Sequence, residues 1–285
     1  AERTTQTGRD MGRWVTAVIG DEDPALPLDG YMGTPVNYTE YLDRRAFSSM
    51  QRLHLSVRVG FPEAVAEYVK ENHPEEYWTA YRSGDGADLR LSAAIAHRLP
   101  RPIDVRNFWN AAWCNHQCKF RNRIAEIVDT LPERHVAANI TTSTEVMGQI
   151  HGAGRRNLNP GYLEGLMTTK IVVLAQRDGY EDQVRFDEAL LSGALVLADP
   201  QIYWPHGVVD GENVVAYRSW LDLEFKILYY LENEEERATI GRRGRELALT
   251  HHRSWHQAER LYLNDMTYKN DYGVNNKPWK WESDV

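Results

Sequence analysis

Arg185 and Glu188 are three residues apart, so on a helix they share one face. They follow a polar loop, 177–182, that carries Arg177, Asp178, Gly179, Glu181 and Asp182. A loop that runs onto a helix N-terminus offers free backbone amides. Amides and a guanidinium together suit a diphosphate. A carboxylate one turn further on can accept from both hydroxyls of a ribose diol. The competing reading is a solvated i, i+3 ion pair. A second cation is expected from the start of an earlier helix, where Lys119, Arg121 and Arg123 cluster, against the plain alternative of a solvated face. Tyr217 and the run Tyr203-Trp204-Pro205-His206-Gly207 follow expected strands, and suit either the lining of a base or sugar pocket or core packing.

Other residues offer different chemistry. Asp21 and Asp23 form a carboxylate-x-carboxylate pair after an expected strand at 14–19. Such a pair can hold a divalent metal beside a sugar diphosphate; a solvated acidic loop is the competing reading. Asp21, Glu22, Asp23 and His54 are the candidates for a general base in the first part of the chain. Cys114 and Cys118 flank His116, but zinc needs four ligands and no second cluster supplies them. A pair of thiols is expected there, in keeping with a reducing compartment. Nine Trp and 15 Tyr supply many flat faces, for packing or for stacking on sugars and bases.

The elements that must position these groups follow from hydrophobic periodicity. An apolar, β-branched run at 171–175 reads as a buried strand. A helix is expected over 183–192, with Val184, Phe186, Leu190 and Leu191 on its apolar face. Gly193 sits where a left-handed helix cap is expected, and 194–198 is a second buried strand. Strand, helix, strand in this order is a right-handed crossover in a parallel sheet, whose ligands bind at the carboxyl ends of the strands. The polar cluster around Arg185 falls at that end.

The rhythm extends both ways. Strands are expected at 103–109, 135–140 and 212–217, and helices at 116–131, 144–150, 160–167, 220–231, 234–250 and 255–263. Earlier, helices are expected at 39–50, 62–72 and 87–98 and a strand at 53–59. Pro100 and Pro102 mark a boundary, because neither fits a helix interior or a central strand. The expected organisation is a reduced N-terminal domain at 1–100, a C-terminal domain at 101–263 with a doubly wound parallel sheet, and a polar tail at 264–285 packing back on the first domain.

Composition narrows the function. A net charge of −8 and a pI near 5.7 disfavour a nucleic-acid backbone or an anionic membrane surface as partner. No stretch approaches a membrane span and no secretory leader is visible. The expected location is the cytoplasm, or a lumen if the chain is a trimmed catalytic domain. The G-x-G-x-x-G fingerprint, the phosphate-loop motif and the G-x-S-x-G elbow are absent, which gives no support to NAD enzymes, loop-type ATPases or serine hydrolases.

Several residues in order carry a resemblance: Arg185-Phe186, Glu188-Ala189-Leu190, Gly193-Ala194 and Asp199, then Asp210-Gly211-Glu212-Asn213 and the segment NEEERATIGRRGRELALTHHRSW. Over about residues 100–263 this resembles the donor half of glycosyltransferases of the GT-B fold, which has two facing Rossmann-like domains. The exostosin-type and group-1-like families are the nearest variants. The resemblance implies a hexosyl- or pentosyltransferase that takes a nucleotide-sugar donor, UDP-sugar favoured, and a hydroxyl of a glycan or other acceptor, with no cofactor and no metal. It implies that Arg185 contacts the donor phosphates, Glu188 the ribose or donor sugar, and Arg121 or Arg123 the phosphates from the other side. Asp178, Gly179, Glu181 and Tyr217 complete the implied donor site. Retaining members often carry two glutamates at a fixed spacing, which Glu181 and Glu188 miss by one residue, so stereochemistry stays open. Two other functions compete: a metal-dependent transferase using Asp21 and Asp23, and a non-catalytic sugar- or nucleotide-binding module.

Overall fold

The structure is a computed structural model that describes residues 61–82, 99–109, 119–144, 160–175, 184–199 and 207–252. The expected elements at 14–19, 39–50, 53–59, 87–98 and 255–263, the tail, and all but the first residue of 144–150 lie outside them, as do Cys114 and Cys118.

The described chain opens with helices α1 (Phe61–Asn72) and α2 (Pro74–Arg82). Then come β1 (Ile103–Asn107), α3 (Lys119–Arg134), β2 (Thr142–Ser143), α4 (Pro160–Met167), β3 (Thr169–Leu174), α5 (Val184–Ser192), β4 (Leu195–Ala198), β5 (Val215–Ala216), α6 (Trp220–Glu232) and α7 (Glu234–His251). The five strands form one sheet in the order β2-β1-β3-β4-β5, every neighbouring pair parallel. Val105 pairs with Ile171, Ile171 with Leu195, and Leu197 with Val215.

Alternation along the strands feeds two cores. Val172, Leu174, Val196 and Ala198 face α1, α4 and α5, through Val65, Val69, Leu166, Phe186 and Leu190. Ile171, Val173, Leu195, Leu197 and Val215 face α3 and α6, through Ile124, Val128, Leu131, Leu223 and Ile227. Near-continuous apolar strands are what a sheet covered on both faces requires. The fold is therefore α/β with a doubly wound parallel sheet, as expected.

Helix α7 closes the structure against α5 and β4. Its glycines permit the close approach: a Cβ on Gly241 would lie 2.5 Å from the Gly193 carbonyl oxygen, and one on Gly244 would lie 2.7 Å from that of Asn213. Gly193 itself has φ +75°, the left-handed cap expected from its place after α5. At the amino edge of the sheet the Arg101 guanidinium donates to the carbonyls of Thr169 (2.6 Å) and Ser192 (2.5 Å), tying the Pro100–Pro102 segment to the sheet.

One expected element fails in the described region. Residues 135–140 are not a strand. Helix α3 runs on to Arg134, through Pro132, and a 3₁₀ turn follows at Val136–Ala138. Asn139 then reverses the chain at φ 48°, and the strand forms later, at Thr142–Ser143. The physical reason is anchoring: His135 Nε2 lies 2.5 Å from Glu224 Oε1 of α6, and Val136 faces solvent. Ile140 alone of that run is buried. Helix α2 carries a start signal that apolar periodicity does not reveal, a proline at its first position with Glu75 and Glu76 behind it.

Candidate functional site

The strand order reverses between β1 and β3: the chain leaves β1 for β2 on one side, then returns to lay β3 on the other. The crevice outside the carboxyl ends of strands at such a reversal is where open parallel sheets bind ligands. Here the carboxyl ends bring Arg106, Asn107, Phe108 and Trp109 from β1 beside Leu174 and Ala175 from β3. Because β3, α5 and β4 form a parallel crossover, the first turn of α5 opens at this same edge.

Arg121 stands in the first turns of α3 and is nearly buried. Its Nε donates to the Ala175 carbonyl at 2.9 Å, and its guanidinium lies 4.9 Å from the centre of the Trp109 ring. Trp109 is fixed in turn by a hydrogen bond from Nε1 to Asn122 Oδ1 (2.8 Å). A cation is thereby held at the end of the central strand. Arg123 is on the outer side of the same helix, exposed and paired with Glu126 at 3.1 Å. Of the two expected cations, the structure brings Arg121 to the strand ends and leaves Arg123 in solvent.

Arg185 lies in the first turn of α5, half-buried. Its Nε is shielded from water and finds no hydrogen-bond partner among the described residues. Glu188 is fully buried, and its Oε2 accepts from the Tyr162 hydroxyl at 2.6 Å. Tyr162 packs edge-on against Phe108, ring centres 5.1 Å apart, and the Arg106 guanidinium lies 5.6 Å from the centre of the Phe108 ring. So Arg185 and Glu188 share α5 as expected but do not form a solvated pair.

Tyr217 departs from the pocket-lining expectation. It is wholly buried in the core, and its hydroxyl donates to the Leu174 carbonyl at 2.7 Å. Burial, and then the charge of Asp199, push its phenol well above the usual tyrosine pKa, so it stays protonated as a strut between the ends of β5 and β3. The Asn107 amide makes a similar tie, donating to the Val173 carbonyl at 3.1 Å, while its Oδ1 is buried without a partner among the described residues. Asp178, Gly179, Glu181, Asp21, Asp23 and His54 lie outside the described residues. Among the described residues no group of three His, Cys, Asp or Glu side chains could hold a metal ion, and no helix is long and apolar enough to cross a membrane.

Sequence reading missed Arg106, Asn107, Trp109 and Tyr162. Arg106 and Asn107 are polar residues at the buried end of β1, between apolar Val105 and Phe108, and that break in an apolar run is a readable signal. Tyr162 has no such signal, because its role appears only when α4 packs on α5.

The edge thus concentrates buried charge. Glu188 and Asp187 are inaccessible, and Asp199, Arg106 and Arg121 nearly so. Burying ionised groups is costly unless they are paired or serve a ligand. The model of a family described as glycosyl transferase-like matches residues 107–262, more than half of the chain. The chain belongs to that family. Every strand-end group above lies within or at the border of the matched segment. No curated protein matches the chain. Among solved structures, that of TarM is similar, with 16% identity and a TM-score of 0.41, over 59% of this chain. The match spans 36% of TarM, so this glycosyl transferase-like chain corresponds to little more than a third of that protein.

Proposed function

We propose that the chain binds a nucleotide-sugar donor at the carboxyl edge of its sheet and transfers the glycosyl group to a hydroxyl acceptor without a resident metal. UDP-sugars are the favoured donors. The carrying observation is the Arg185 guanidinium, with a buried Nε that has no hydrogen-bond partner among the described residues, at the N-terminus of α5 and at the same strand edge as Arg121. Buried polar atoms in native proteins are almost always satisfied, so an exception points to a missing ligand.

In the reaction the bond from the anomeric carbon to the diphosphate oxygen breaks and a bond to the acceptor oxygen forms. Negative charge grows on the departing diphosphate. Arg185, Arg121 and the amides of the first turn of α5 stabilise that charge, the role a metal ion would otherwise fill. Glu188, fully buried with Tyr162 fixing its carboxylate, supports the first turn of α5 from behind the donor. In an inverting reaction the acceptor proton passes to a carboxylate or histidine of the first part of the chain, with Asp21, Asp23 and His54 as candidates. GT-B architecture, with the acceptor side in residues 1–100, completes the proposal.

The test is turnover of the Arg185→Ala variant with a panel of nucleotide sugars, beside a thermal-shift screen of the wild type. Arg185→Ala abolishes transfer while its far-UV spectrum matches wild type. A donor at a hundred times its dissociation constant stabilises the wild type by about 2.7 kcal/mol. That shift survives EDTA and is lost in the variant. Unchanged activity in Arg185→Ala refutes the assignment. Loss of the shift with EDTA transfers the role to Asp21 and Asp23.

A further inference from the structure

At the amino edge of the sheet a cavity of about 670 Å³ lies between the segment 99–101, the starts of β3 and β4 and the first turns of α7. Small-molecule sites fall at about 300–1,000 Å³. The charged lining is Arg101, Lys170, Glu234, Glu235, Arg237 and Arg242, four cations against two carboxylates. Asp104 adds a third carboxylate through its contact with Lys170, and the cations still outnumber the acids. The whole chain carries a net charge of −8, so this concentration of positive charge runs against its composition.

Three of the four cations also serve the fold. Arg101 donates to backbone carbonyls, Lys170 meets Asp104 at 2.5 Å, and Arg237 donates to the Tyr230 carbonyl at 3.1 Å and reaches Glu234 at 3.2 Å. An ammonium holds three N–H donors and a guanidinium five, so Lys170 and Arg237 keep donors beyond these bonds. Arg242 differs. It is half-buried on the cavity wall and has no hydrogen bond or ion pair among the described residues. Ala238 and Thr239, one turn before it, carry no charge, and Glu246, one turn after it, is exposed and does not pair with it. Burial, and then the charges of Arg245 and Arg237, draw the Arg101 pKa down to about 9. An anion in the cavity relieves that crowding of like charges.

We propose that this cavity binds a small phosphorylated polyol, its phosphoryl group on Arg242 with Lys170 and Arg237, and its hydroxyls on exposed Glu234 and Glu235. A guanidinium without a partner can meet two phosphate oxygens at once. A phosphoryl group brings a charge of about −1.5 to −2 and three acceptor oxygens, enough for several cations at once. A carboxylate ligand brings fewer oxygens and less charge. Carboxylate side chains only accept hydrogen bonds, so Glu234 and Glu235 suit hydroxyl donors and disfavour a ligand that is anionic throughout. Strand β3, six residues long, separates this edge from the carboxyl edge by roughly 20 Å. The ligand is therefore no reactant at the donor site, and the inference is independent of that reading.

Isothermal titration calorimetry of the full chain with ribose 5-phosphate, ribose and inorganic phosphate tests it, at about pH 7.5 where the phosphate is mostly dianionic. Ribose 5-phosphate binds, inorganic phosphate binds more weakly, and ribose does not bind. Arg242→Glu weakens ribose 5-phosphate roughly tenfold or more with an unchanged far-UV spectrum, and Arg242→Lys weakens it less. Arg185→Ala, at the other edge, leaves this binding unchanged. A wild type that binds neither phosphate overturns the proposal. Arg242→Glu that binds like wild type also overturns it, as does binding lost in Arg185→Ala, which puts the phosphate at the carboxyl edge. Inorganic phosphate that binds as tightly as ribose 5-phosphate overturns the polyol and leaves a site for free phosphate.

Discussion

Replacing Gly241 with alanine sets two well-scaled effects against each other. In an exposed helix interior the change from glycine to alanine stabilises by about 1 kcal/mol. Gly241 is in the middle of α7, so this gain is available. The new Cβ, however, would sit 2.5 Å from the Gly193 oxygen, 3.1 Å from the Ala194 carbonyl carbon and 3.2 Å from its oxygen. All three neighbours are backbone, so no side chain can rotate aside. Gly193 is also locked by its left-handed cap, and the carbonyls just before it are taken by Arg101 and Arg245. Relief therefore requires α7 to lift by most of an ångström from α5 and β4. Overpacking of this kind costs about 1–3 kcal/mol, and a backbone clash belongs in the upper half of that range. The expected net is a loss of about 1–2 kcal/mol. Urea denaturation followed by tryptophan fluorescence reads it directly. Gly211→Ala is the control: φ is +81° with nothing within 4 Å of the new Cβ, so it meets no clash and bears only the strain of an L side chain in the left-handed region, about 1–2 kcal/mol. A Gly241→Ala variant as stable as wild type, or more stable, would show that α7 does not seat on the Gly193 carbonyl.

Acid should loosen the sheet edges before the core. Burial alone would raise the Asp104 and Glu224 carboxyls, but hydrogen bonds from Lys170 and Thr141 to Asp104, and from His135 and Arg134 to Glu224, hold both below their ordinary values. Depressed carboxyls stabilise the fold above the unfolded pKa of about 4, and that contribution is lost as pH falls through the folded value. Urea midpoints taken from pH 7 to pH 3 should therefore fall, and Asp104→Asn with Glu224→Gln should flatten the fall; an identical profile in the double variant rejects the account. Tyr162→Phe removes the hydroxyl that donates to Glu188. It should cost about 1–3 kcal/mol and weaken the donor-induced thermal shift, and a variant unchanged in both measures removes Tyr162 from the site.

How much could be read from residues alone depends on where the information lies. The β3-α5-β4 unit was legible because each signal is local: a β-branched run, a helical apolar face, a glycine at the cap and a second apolar run. Helix α4 was legible to its ends, since Pro160 opens it and the β3 run follows closely. The segment after α3 was misread because its apolar residues alternate weakly, and its course is set by His135 reaching Glu224, almost ninety residues away in sequence. The site divides in the same way. Arg185 and Glu188 stand out because spacing places them on one helix near a loop. Choosing between Arg121 and Arg123 was beyond the sequence, since both lie in the first turns of α3 and only docking against Ala175 and Trp109 separates them. Tyr217 looked like a pocket residue because it ends a strand, but its neighbours turn it inward.

The two ends of the sheet differ in chemistry as well as in topology. At the amino edge the charges are spent within the fold. Arg101 serves backbone carbonyls, Lys170 meets Asp104 at 2.5 Å, and Arg237 donates to the Tyr230 carbonyl while reaching Glu234 at 3.2 Å. These groups hold elements together around a cavity of about 670 Å³ that Arg101, Lys170, Arg237 and Arg242 line. At the carboxyl edge the balance differs. Asn107 Oδ1 and Arg185 Nε are buried without hydrogen-bond partners among the described residues, while Arg121 and Trp109 are held rigid at the end of β3. Arg185 Nε is a buried donor that meets no acceptor among the described residues, and a donor already in place lowers the reorganisation needed when charge arrives. The proposed donor site therefore rests on Arg185 Nε and Asn107 Oδ1, two buried polar atoms at the carboxyl edge for which a bound diphosphate and sugar hydroxyls would supply partners.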